Sequence, residues 1–167
     1  LDWIGSLIID KQPDVIVQIG DFADMPSLSS YDVGKKSFEG RRYVEDVSSV
    51  IEAQNRLLMP LFDLQSQQAK NKKKIYNPRR IITLGNHDER IIRAVNNDPK
   101  LDGVLSIRDL KYEEFGWEVY PYLAVVSING VCFSHYFASG VAGRPVTSAN
   151  ALITKKHVSC VMGHVQQ

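Results

Sequence analysis

Apolar positions at Leu1, Ile4, Leu7 and Ile8 recur at a helical spacing and predict a helix over residues 1–11, ended by Pro13. Residues 15–19 are β-branched and predict a mostly buried strand, closed by Gly20-Asp21-Phe22-Ala23-Asp24. Residues 25–43 carry no sustained period. They read as a long polar insertion, and loops of that length inside a domain are usually functional or disordered. From 43 to 69, Val47, Val50, Leu57, Leu58, Leu61 and Phe62 gather broadly on one helical face, with Pro60 expected to kink or split the helix. A second buried strand is expected over 80–84 and a helix over 89–96, stopped by Asn96-Asn97-Asp98-Pro99. Residues 100–116 are mixed and expected to include a short helix. Strands follow at 117–122, 123–128 and 131–136, the last two joined by Asn129-Gly130, a strong hairpin signal. A glycine-rich loop (139–145), a helix (148–156) and a strand (157–162) complete the pattern.

This alternation predicts an α/β fold in a single domain covering 1–167. A helix, a break and a strand form half of a βαβ unit, so an earlier strand is expected upstream of Leu1. With no initiator Met, and with Gln167 directly after a candidate motif, the sequence is expected to be a piece of a longer reading frame.

Composition narrows the class. Over 167 residues, 44% are hydrophobic and 23% charged, as in ordinary globular chains, and the net charge of +1 gives no global basic field for nucleic acid. No apolar run approaches the roughly 20 residues a membrane span needs, and no signal-peptide layout is visible, so a soluble, cytoplasmic protein is expected. Cys132 and Cys160 lie in apolar runs and are expected to be buried and reduced. Lys35, Lys36, Arg41 and Arg42 suit either a solvated loop or a phosphate entrance. The run Lys70-Asn71-Lys72-Lys73-Lys74 suits a helix C-terminus, with a nucleic-acid patch as the alternative.

The chemistry gathers at strand ends. Asp21, Asn86, His135 and His164 each follow an apolar strand, so a layered sheet can bring them to one edge although 65, 49 and 29 positions separate them. One carboxylate, one carboxamide and two imidazoles suit Mn, Fe or Zn and suit Ca poorly, which takes more oxygens. His87, next to Asn86, can stand beside a metal without binding it, as a general acid. Asp24, three residues after Asp21, can orient that imidazole or serve as an N-cap or Asx-turn residue.

Gly20-Asp21-x-x-Asp24, Gly85-Asn86-His87-Asp88, a lone His135 after a strand and Gly163-His164 together resemble the calcineurin-like metallophosphoesterase superfamily. The small bacterial and phage members are the nearer likeness, because Met25 and Pro26 stand where the eukaryotic Ser/Thr phosphatases continue with Arg-Gly. The resemblance implies a four-layer αββα sandwich with the site at one edge and an incomplete N-terminal strand. It further implies two divalent ions, Mn first with Fe or Zn as alternatives, holding a hydroxide that attacks phosphorus in line. Asp21 would bridge the two ions, Asn86, His135 and His164 would complete the ligand shell of the second ion, and His87 paired with Asp24 would protonate the leaving oxygen. Two departures stand out. The family's opening Asp-x-His is absent, as expected if the preceding strand is missing, and Gln166 replaces the second His of Gly-His-x-His.

The function expected is therefore metal-dependent hydrolysis of a phosphate mono- or diester, on a phosphorylated small molecule or a nucleic-acid phosphodiester. A nuclease of the same superfamily would call for aromatics or a continuous basic groove near the site. A non-catalytic metal-binding scaffold would have no need of His87 with Asp24.

Overall fold

A computed structural model describes residues 1–140 and 142–165. Helix α1 (Asp2–Lys11) leads into β1 (Val15–Gln18), and two 3₁₀ turns (Pro26–Leu28 and Lys36–Phe38) punctuate the polar insertion. Helix α2 (Tyr43–Lys70), β2 (Arg79–Thr83) and α3 (Arg90–Asn97) follow. Two further 3₁₀ turns (Pro99–Leu101 and Ile107–Leu110) precede β3 (Glu118–Tyr120), β4 (Val126–Ile128) and β5 (Val131–Ser134). The short pair β6 (Ala138–Ser139) and β7 (Arg144–Pro145), then α4 (Ala149–Lys156) and β8 (Ser159–Met162), end the described chain.

Three sheets result. One runs β1-β2-β3 with both pairings parallel, Val15 opposite Arg79 and Ile81 opposite Glu118. A second runs β4-β5-β8, antiparallel at the hairpin and parallel between β5 and β8, where Cys132 stands opposite Cys160. The third is the β6-β7 hairpin. The α/β class expected from the alternation is thus what the chain adopts, with mixed sheets and four α-helices among the described residues.

Strand alternation divides the side chains between two cores. Ile82 and Leu84 join Ile8, Leu57, Leu58 and Leu61 of α1 and α2, together with Leu110, Tyr112 and Trp117. Cys132, Cys160 and Met162 pack instead against Phe137, Val146 and Leu152 beneath α4. Both thiols are free and only half-buried, which corrects the expectation of full burial.

Three local outcomes refine the pattern. Helix α2 runs unbroken past Pro60, so the proline does not split it. Proline has no N–H to donate four residues back. Gly5 of α1 lies against this turn, where a Cβ would come within 2.5 Å of the Leu57 carbonyl oxygen and 3.0 Å of Pro60 Cγ. Asn129 and Gly130 both take positive φ (50° and 81°), the type I′ geometry that matches strand twist and fixes Ile128 opposite Val131. The glycine-rich loop is closed by β6 and β7, a pairing too short to leave a periodic trace.

Candidate metal centre

Because β1 and β2 are parallel neighbours, their C-terminal ends deliver the 20–24 and 85–88 turns to the same edge. The parallel pair β5 and β8 delivers His135 and His164 in the same way. The two edges meet at Gly20 and Gly163. A Cβ on Gly20 would stand 2.5 Å from His135 Nδ1, and one on Gly163 would stand 3.4 Å from the Ile19 carbonyl oxygen. Asp21 and His164 both hold positive φ (54° and 66°), uncommon for non-glycine residues and typical of functional turns.

Four donor atoms converge there. Asn86 Oδ1 lies 2.8 Å from both His135 Nε2 and His164 Nδ1, and those two nitrogens are 3.1 Å apart. His135 Nε2 is also 3.5 Å from Asp21 Oδ2. An ion with ligands at about 2.1 Å separates neighbouring ligand atoms by about 3.0–3.4 Å, close to this spacing. The chemistry of the donors points the same way. His135 Nδ1 is 2.9 Å from the Ile19 carbonyl oxygen, which can only accept, so Nδ1 carries the proton. In the neutral ring, Nε2 then offers a lone pair toward a carboxamide oxygen and a carboxylate, two acceptors that a shared cation would reconcile. Burial and the adjacent His135 hold the His164 imidazole below its ordinary range, favouring the neutral form that can ligate.

Asp88 locks the two ligand-bearing turns together. Its carboxylate has no solvent exposure and accepts from Asp21 N (2.9 Å), Gly85 N (2.7 Å), Ala23 N (3.3 Å) and Tyr112 Oη (2.7 Å). Burial pushes the Asp88 carboxyl up while these four donors pull it back, and burial drives the Tyr112 phenol well up. Gly85 permits the contact: a Cβ there would fall 2.2 Å from Asp21 Oδ1.

Beside the cluster, His87 Nδ1 pairs with Asp24 Oδ1, which leaves Nε2 as the nitrogen available for proton transfer. The His87 backbone N–H donates to Asp21 Oδ1 at 3.0 Å, so the pair is tied to the ligand turn and Asp21 Oδ2 is left for the cluster. Arg90 Nη1 donates to the Asp24 carbonyl oxygen at 2.7 Å and stands 3.6 Å from the Asp24 carboxylate. Arg93 Nη2 donates to the Asn86 carbonyl oxygen at 2.7 Å. In front of these groups opens a cleft of about 540 Å³, reached by Asn86, His87 and His164.

All six residues expected from strand ends and motif spacing therefore come together: Asp21, Asn86, His135 and His164 in the cluster, His87 and Asp24 at its side. Gln166 lies outside the described residues. Sequence reading passed over Asp88, Tyr112, Arg90 and Arg93. Asp88 was visible within the Gly-Asn-His-Asp run, and Arg90, Arg93 and Asn97 share a helical face by spacing. Comparison with protein-family models, with curated proteins and with solved structures yields no match to this chain.

Proposed function

We propose that this chain carries the active site of a metal-dependent phosphoesterase that hydrolyses a phosphate mono- or diester. The observation that carries the reading is the convergence of Asp21 Oδ2, Asn86 Oδ1, His135 Nε2 and His164 Nδ1 on one point, with the His87–Asp24 pair beside it. Those four residues would hold a divalent cation, Mn first and Fe or Zn as alternatives. Bound there, the cation supplies Lewis acidity to phosphoryl oxygens and a nucleophile at neutral pH.

The chain's own residues do the rest. Ile19 and Asp88 hold the ligand turns in register, and His135 keeps Nε2 toward the cluster. Asp24 orients His87, whose Nε2 passes a proton to the leaving oxygen. Arg90 and Arg93 place positive charge at the cleft wall, where phosphoryl oxygens are met by fixed donors.

This reading aligns with the calcineurin-like metallophosphoesterase resemblance. The division of core residues between α1/α2 on one sheet and α4 on the other supports an αββα layering. The described residues supply one cation's ligands. By the resemblance, a second cation would share Asp21 and draw on an Asp-x-His pair that this sequence does not contain, and Gln166 stands where the family has a further His.

Hydrolysis of bis-p-nitrophenyl phosphate in Mn²⁺, beside the His87→Ala variant, tests the proposal. Turnover that requires both the metal and His87 supports it. Metal binding at the cluster without turnover in any divalent ion would move the reading to a non-catalytic scaffold.

A further inference from the structure

The chain has two Cys and three Met, and three of these five sulfurs share one face of one sheet. Cys132 on β5 stands opposite Cys160 on the parallel neighbour β8, and Met162 lies two residues further along β8. Residues in register on adjacent strands point to the same face, as do positions i and i+2 of one strand. All three accordingly pack against Phe137, Val146 and Leu152 beneath α4. Neighbouring strands run about 4.8 Å apart, so the two thiols rise side by side from backbones at that spacing. Methionine has three rotatable bonds and can swing its Sδ toward the pair from about 6.6 Å along the strand.

The surroundings suit sulfur ligation. Cys160 and Met162 both line a groove of about 540 Å³ against α4, and Cys160 also lines a second groove of about 400 Å³, so the sulfurs have an entry path. Among the described residues, no His, Asp or Glu lines either groove, which leaves a hard or borderline cation short of the donors it takes. Lys156, the last residue of α4, holds its ammonium over the Phe137 ring at 5.7 Å, a positive charge beside the same cluster. Burial, and then the neighbouring Cys132, push the Cys160 thiol up, while Lys156 draws it down. The thiol is therefore neutral until a cation displaces its proton. Two thiols serving only as small hydrophobes have no need to stand in register or to meet a groove.

We propose that Cys132 Sγ, Cys160 Sγ and Met162 Sδ form a binding site for a soft monovalent cation of the Cu(I) class, separate from the cluster of Asp21, Asn86, His135 and His164. Thiolate and thioether ligands select Cu(I), and a set of three sulfurs falls short of the four ligands that structural Zn²⁺ takes. Binding exchanges the two S–H protons for one cation and leaves a single net negative charge, beside which Lys156 stands. No electron is transferred, and the ion enters and leaves as Cu(I). This site is independent of the phosphoesterase reading, and either can fail without the other.

The reduced full chain is titrated anaerobically with Cu(I) against a chromophoric Cu(I) chelator, and the loaded protein is measured by X-ray absorption at the copper edge. One equivalent is expected to bind, with sulfur alone around the copper. Losing a ligand should cost at least as much as losing a group that only orients one, so Cys132→Ser and Cys160→Ser are each expected to weaken binding by about 100-fold or more. Met162→Leu keeps the packing volume, and should cost a smaller factor and remove one sulfur from around the copper. His164→Ala disrupts the other candidate centre and should leave Cu(I) affinity unchanged. Nitrogen or oxygen bound to the copper, or affinity unchanged in both serine variants, overturns the proposal. A serine variant that failed to fold would also lose Cu(I), so the sulfur-only surroundings in the parent decide the assignment on their own.

Discussion

Tyr112 donates its phenolic proton to Asp88 Oδ1 across 2.7 Å, joining the irregular segment after α3 to the carboxylate that holds both ligand turns. Asp88 accepts from three backbone N–H groups and one phenol, all at the fully buried carboxylate. Asp88→Asn puts an NH₂ group against donors and leaves at least one of them unpaired, at about 1–3 kcal/mol per unpaired group. Urea denaturation is expected to show a loss of about 3 kcal/mol, and metal affinity should fall because Asp21 and Gly85 are no longer held together. Tyr112→Phe removes one donor and keeps the ring in the core, so a loss of about 1 kcal/mol is expected, with metal stoichiometry retained. Equal losses in the two variants would show that Asp88 does not act as the lock.

His87 touches the cluster only through its backbone N–H, while its ring belongs to Asp24. His87→Ala is therefore expected to lower kcat by about 10²–10⁴-fold with metal content unchanged by elemental analysis. Asp24→Asn keeps a partner of the same shape but not its charge, and should lower kcat by a smaller factor. Loss of metal from His87→Ala would instead make His87 a ligand.

The ligand cluster was legible because each of its members ends an apolar strand, and parallel strands bring such ends to one edge whatever the sequence distance. The His87–Asp24 pair was legible for a related reason, since both residues sit on the two turns that carry ligands. Tyr112 was not legible. Its partner lies 24 residues away across a segment with no period, and only the tertiary path of residues 98–117 brings the phenol under the site. Residues 139–145 read as a loop because two-residue strands show no alternation. Arg90 and Arg93 lie on the helix expected over 89–96, and their spacing alone does not tell a cleft from bulk water. Helix α2 survived Pro60 because packing of Leu57, Leu58 and Leu61 outweighs one missing hydrogen bond.

Gly85 offers a test of the close approach between the two ligand turns. A Cβ there would meet Asp21 Oδ1 at 2.2 Å and Asp21 N at 2.3 Å, and the backbone nitrogen has no freedom to move aside. Gly85→Ala is expected to displace the Asp21 carboxylate and weaken Mn²⁺ binding by at least tenfold in calorimetry. Gly34→Ala, with nothing within 4 Å of its Cβ, serves as the comparison and should leave Mn²⁺ affinity unchanged despite its positive φ. Similar Mn²⁺ affinity in both variants would show that the 20–21 and 85–86 turns have room to separate.

Within the polar insertion that carries Tyr31, Arg41 ties residues distant along the loop. Arg41 Nη1 donates to Asp32 Oδ2 at 2.7 Å and to the Pro26 carbonyl oxygen at 3.0 Å, tying the two ends of the loop around Tyr31. Hydrogen bonding from Arg41, and then from Lys35, lowers the Asp32 carboxyl from 3.8 to about 2. A carboxyl depressed in the folded state stabilises the loop at pH values above its unfolded pKa, and that contribution is lost as pH falls toward 2. Carboxyl-carbon NMR titration should find Asp32 near 2 in the parent and back toward 3.8 in Arg41→Gln. The same variant should make the 26–41 loop more susceptible to proteolysis at neutral pH, because the Pro26 tie is lost as well. An Asp32 titration unmoved by Arg41→Gln would show that the guanidinium does not hold the loop, and Tyr31, which lines the cleft, would then lose its fixed place there.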